Sequence, residues 1–224
     1  MRHTVLAIRE GEGELRHVAG PPSPSRPRQT FDMVWTNRSL LGSRAASGDG
    51  LRREIVWSGS YAEVDGGGMF DEDPRTWGPR AWDELGARVG REVYGGVVIR
   101  PHAKHVVSDV PGCRRLIESD WAIARDVHLC YEPAGMMTIG MLARAEDHLR
   151  RMYEAIELMP SERLAMVVVG GLDGKGAPCG VDCCGEFGRI IAELVAAWVP
   201  EGVLLAMYDE RIGEQIGMME RAGG

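Results

Sequence analysis

The sequence predicts an α/β protein built on a parallel sheet. From Glu54 onward, short apolar runs alternate with amphipathic stretches. The runs carry no polar alternation, as expected of strands covered on both faces. One amphipathic stretch, Met141–Leu158, shows helical periodicity plainly. Leu142, Ala145, Leu149, Met152 and Ile156 recur at three- and four-residue steps, with Arg144, Asp147, Arg151 and Glu154 opposite.

In chain order, "HTVLAI" and "FDMVW" are the first strand candidates. Between them, "GPPSPSRPRQT" is too rich in proline for a helix. "GSRAASGDG" reads as a second joint. "EIVWS" (Glu54–Ser58) is a strand, then a Gly/acid loop, then a helix near "RAWDELGARV". The regular pairs that follow are Gly96–Arg100 with a helix near "GCRRLIE", and Val127–Tyr131 with the Met141–Leu158 helix. Next come Leu164–Gly170 with Glu186–Val199, and Gly202–Tyr208 with a helix near Ile212–Arg221. Seven strand and five helix candidates suit an open doubly wound sheet or a (β/α) barrel. No strand runs into GxGxxG or GxxxxGK[ST], which weakens the nucleotide-binding form of the open sheet. The Asp-Gly turns in "DGGG" and "DGKG" are ordinary turn formers.

A chain of 224 residues is read as one domain, with residues 1–53 irregular and 54–224 in regular βα units. The formal net charge of −7 argues against binding nucleic acid through its phosphates. No apolar run approaches the roughly 20 residues of a spanning helix. "MRHTVLAIRE" reads as a strand rather than a signal peptide, so no membrane association and a cytoplasmic location are expected. The five cysteines include no CxxC pair, so they are read as reduced thiols rather than a disulfide framework. "CGVDCC" could hold a soft metal, but adjacent Cys183 and Cys184 make a poor tetrahedral pair. The acidic loop Asp65–Pro74 lacks EF-hand spacing and reads as a lid or turn. His128, close to Asp126, reads as a packed or paired histidine, and no GxSxG elbow supports acyl transfer.

Four stretches resemble the xylose isomerase-like barrels, which include sugar phosphate isomerases/epimerases, inosose dehydratases and the second family of AP endonucleases. They are "WDELGARVGREVYGGVVIRPHAKHVVSDVPGCRRLIE", "RDVHLCYEPAGMMTIG", "RLAMVVVGGLDGKGAPCGVDCCGEFGRII" and "EGVLLAMYDE". The resemblance rests on order and spacing more than on identical residues. It implies a TIM barrel, shortened or incomplete at the N-terminus, with its site at the carboxyl ends of the strands. It further implies an isomerase or epimerase acting on a polyol or keto-sugar by proton transfer. The family's divalent metal would polarise the sugar carbonyl or hydroxyl.

Position by position, the resemblance departs from the family's metal ligands. Arg100 stands where the first glutamate would be, and Glu132 fills the aspartate slot. Gly135 and Gly170 replace histidines, Asp173 keeps the following acid, and Met207 replaces the last glutamate. If the strand continues past Pro101, His102 faces the same way as Arg100; by the same parity Asp209 shares the face of Met207. His102, Glu132, Asp173 and Asp209 are therefore the candidate ligands of a displaced metal. The competing expectation is a metal-free barrel in which Arg100 pairs with Glu132, because a guanidinium has no lone pair for a metal. His102, Glu132 and Arg100 are the catalytic candidates, and Asp173, Trp57 and Trp77 the substrate-binding ones. Trp57, Trp77 and Trp82 are placed as core or pocket wall. The alternative function is a barrel that has lost catalysis and binds or assembles with a partner.

Overall fold

The computed structural model describes residues 3–8, 13–19, 33–41, 53–59, 78–92, 96–173, 178–208 and 210–223. Seven strands form a parallel sheet. They are β1 (Val5–Ile8), β4 (Met33–Ser39), β5 (Arg53–Trp57), β6 (Val97–Arg100), β7 (Val127–Tyr131), β8 (Leu164–Val169) and β11 (Leu204–Tyr208). Their spatial order is β4-β5-β6-β7-β8-β11-β1, so the first strand lies beside the last.

Two short strands close the margins. β2 (Gly13–Glu14) runs antiparallel on β4, and β3 (Arg16–Ala19) runs antiparallel on β1. Only Leu15 separates them, so one extended segment touches both margins of the parallel sheet. Leu15 is buried in a cluster with Leu6, Trp35, Ile55, Val98, Cys130, Met166 and Ala206. Those side chains come from every parallel strand, which requires the sheet to curl around them. The result is a mixed α/β fold with a curled, seven-strand parallel sheet, matching a partial TIM-like architecture. The pair β9 (Gly171–Leu172) and β10 (Pro178–Cys179) forms a separate small ribbon.

The outer face carries the helices α1 (Gly78–Glu92), α2 (Val110–Glu118), α3 (Asp120–Ala124), α4 (Ala145–Glu154), α5 (Glu186–Trp198) and α6 (Ile212–Ala222). They pack on Val97, Ile99, Leu129, Val167, Leu205 and Met207. Period-2 geometry sends those residues outward and their neighbours inward. The start of α2 shows why a helix begins there. Asp109 accepts a hydrogen bond from the Gly112 amide at 2.7 Å, and Pro111 sits in the first turn where no amide is needed.

Two expectations need correction. The stretch Met141–Leu158 is not one helix: α4 is flanked by 3₁₀ turns at Ile139–Arg144 and Ala155–Leu158. Its apolar stripe is buried from Leu149 through Ile156; at the start Met141 and Ala145 pack only partly on the core and Leu142 is exposed. Met207 faces the helices, not the interior. The inward residue at the end of β11 is Tyr208, which packs with the inner cluster. Asp209, Trp77 and the loop Asp65–Pro74 lie outside the described residues.

Candidate functional site

The carboxyl ends of β5, β6, β7 and β11 bring together Trp57, Arg100, Glu132 and Tyr208, and Trp35 reaches them from within β4. β6 ends at Arg100, as proline at position 101 demands, and Glu132 follows directly after β7. Arg100 Nε and Nη2 both donate to the Glu132 carboxylate, the latter at 2.7 Å to Oε1. The Tyr208 hydroxyl donates to the same Oε1 at 3.0 Å. Glu132 is fully buried, so three donors satisfy a charge that would otherwise be costly to hold there.

The guanidinium is also enclosed by aromatic rings. Arg100 Cζ lies 3.9 Å from the Trp57 ring centroid and 4.3 Å from that of Trp35. Cation–π attraction at a desolvated position contributes up to about 2 kcal/mol. Burial disfavours the Arg100 charge, yet the Glu132 carboxylate outweighs it and raises the Arg100 pKa. Burial pushes the Tyr208 phenol well up, with the Glu132 charge adding to it, so its proton stays in place to donate.

Two glycines make this arrangement possible. A Cβ on Gly135 would lie 3.0 Å from the Glu132 carboxyl carbon and 3.0 Å from Oε2. A Cβ on Gly170 would lie 2.9 Å from the Tyr208 ring. These are the slots where the resemblance would put histidines. Their missing side chains leave the room that Glu132 and Tyr208 occupy.

The loop after β6 carries His102 and His105. It is pinned on three sides. His102 N donates to Val107 O at 3.0 Å, Val106 N to Gly59 O at 3.0 Å, and Ala103 N to Gly135 O at 2.9 Å. Gly59 has a φ of +87°, and a Cβ there would collide with the Leu41 backbone, so glycine is required. The loop sets both imidazoles edge-on to Trp57, at centroid distances of 5.3 Å and 5.2 Å, and 4.9 Å from each other.

His102 Nδ1 accepts a hydrogen bond from the Lys104 amide at 3.2 Å. An accepting Nδ1 places the neutral ring's proton on Nε2, so His102 presents a donor there. Burial lowers the His102 pKa, partly opposed by Glu132 and reinforced by Arg100 and Lys104. His105 is buried, and burial together with His102 and Arg100 brings its pKa down to about 3. Its Nδ1 is buried without a hydrogen-bond partner.

Of the other sequence candidates, Asp173 stands just past β9 and acts electrostatically on Cys179. The groups acting on Arg100 and His102 include Glu132, Tyr208, Cys130 and Lys104. Trp82 lies under Arg115 on the helical side, with Cζ 4.4 Å from its ring. His128 pairs with Asp126, Nε2 to Oδ1 at 2.9 Å, at the opposite end of β7. Sequence reasoning missed Trp35 and Tyr208. The available signal was an aromatic at or near the end of an apolar strand.

The residues present do not fit the metal that the resemblance implies. Both Glu132 oxygens accept from protein donors, and a guanidinium stands beside them. Among the described residues, no three His, Cys, Asp or Glu side chains converge as a metal-binding group. No helix among the described residues is long and apolar enough to cross a membrane. Comparison with known proteins gave no matching family model and no matching curated protein.

Proposed function

We propose that the carboxyl rim is a metal-independent binding site for a small polyol or keto-sugar, on a chain of xylose isomerase-like descent that has given up metal-assisted proton transfer. The observation that carries this reading is the Arg100–Glu132–Tyr208 arrangement. The cation's place is taken by a fixed guanidinium, and the carboxylate is spent on holding it. Partly exposed Trp57 supplies an apolar wall, and His102 Nε2–H a donor for a ligand hydroxyl or carbonyl.

The test is titration of tryptophan fluorescence with myo-inositol and fructose, in EDTA and in excess magnesium or manganese. The reading expects saturable binding that is the same in both, and at least about ten-fold weaker in Trp57→Ala, the scale of one lost contact. Binding that requires the metal would overturn it.

One observation favours a second reading, a proton-transferring isomerase or epimerase. The buried, unpartnered Nδ1 of His105 lies in the imidazole pair at the rim. Exchange of a substrate carbon-bound hydrogen for deuterium, lost in His105→Gln, would favour catalysis over binding alone.

A further inference from the structure

The sequence "CGVDCC" places three thiols within six residues, and the fold separates their roles. Cys179 ends β10, and Cys184 follows the 3₁₀ turn Val181–Cys183. Their Sγ atoms are 3.4 Å apart. Cys184 Sγ also donates to the Gly180 carbonyl at 3.2 Å. Gly171 leaves the room for this: a Cβ there would collide with Cys184 Sγ and lie 2.9 Å from Ile191 Cδ1. Cys183 is exposed, with its sulfur 3.6 Å from Asp182 Oδ2.

We propose that Cys179 and Cys184 form a reversible dithiol–disulfide site that is oxidised by low-molecular-weight disulfides such as glutathione disulfide. The Cys179 thiolate attacks one sulfur of the oxidant, breaks its S–S bond and releases one thiol. Cys184 gives up its proton and attacks Cys179 Sγ in the mixed disulfide. The protein disulfide forms and the second external thiol leaves. Two protein thiols are oxidised, and one external disulfide is reduced to two thiols.

The order of attack follows from the surroundings. Burial pushes both thiols up, and the contact between the two sulfurs works against that rise at Cys179. Cys184 is pushed up further by burial and by Cys179, Cys183 and Asp182. Exchange therefore accelerates as pH rises.

The experiment incubates the full chain with glutathione disulfide at mildly alkaline pH, blocks remaining thiols with iodoacetamide and reads the mass. The expected product has lost two hydrogens, carries no glutathione, and reverts with dithiothreitol. Fragmentation of the peptide spanning residues 176–189 should locate the bond between Cys179 and Cys184. Cys183→Ser should still form it. Cys179→Ser and Cys184→Ser should stop at a glutathione adduct. A bond to Cys183, or wild-type protein that stops at glutathione adducts, would overturn the proposal. The wild-type fragment map decides even if a variant fails to fold.

Discussion

The side chain that Gly135 lacks is the space that the Glu132 carboxylate fills, three residues back along the chain. A methyl at position 135 would crowd the carboxylate in its turn toward Arg100. Gly135 also supplies the carbonyl that anchors the histidine loop through the Ala103 amide. One small residue therefore couples the ion pair to the loop over Trp57.

Gly135→Ala should therefore press on the carboxylate without removing any polar partner. The expected cost is about 1–3 kcal/mol, typical of overfilling a packed site. Urea unfolding would show a lowered midpoint with an unchanged slope. An alanine variant as stable as the parent would mean that Glu132 has room to move.

Tyr208→Phe removes one of the three donors to Glu132 and leaves the packing of the ring nearly unchanged. A hydrogen bond to a charged group contributes roughly 1.5–3 kcal/mol, and the variant should lose stability on that scale. Calorimetry checks it. A loss confined to a few tenths of a kcal/mol would show that the hydroxyl bond at 3.0 Å contributes little.

Acid should weaken the fold earlier than carboxylates alone would. Burial lowers the pKa values of His102, His105 and His128, so the folded chain holds these rings neutral. The unfolded chain takes up their protons below about pH 6.5. Stability from these groups is complete above that value and is lost as pH falls, continuing to about 3 for His105. Denaturant midpoints measured from neutral to acidic pH should decline from near the ordinary histidine value. His105→Leu should flatten the decline; an unchanged profile would show that His105 is not held neutral.

The sequence made the seven parallel strands legible because strands buried on both faces read as unbroken apolar runs. Val127–Tyr131 matches β7 residue for residue. The same lack of alternation hid which face of each run points inward. The resemblance puts Met207 in the slot of the last glutamate, yet Met207 packs under the helices and Tyr208 is the inward residue at the end of β11. The bridging segment was missed for the opposite reason. In Gly13–Ala19 the apolar Leu15 and Val18 lie three residues apart, out of step with the alternation of a strand. The Arg100–Glu132 pair was readable because both residues close apolar runs in adjacent βα units. Its support from Trp35 and Tyr208, with the room left by Gly170, depends on contacts between distant segments.

The most direct test of the central claim is a double-mutant cycle on Arg100 and Glu132, read by urea unfolding. Arg100→Met and Glu132→Leu each leave a buried charge unpaired and should each cost about 3–5 kcal/mol. The double variant should recover much of that loss, giving a coupling of at least about 2 kcal/mol. Single effects that simply add, with coupling below about 0.5 kcal/mol, would contradict the account: the arginine would not be holding the glutamate.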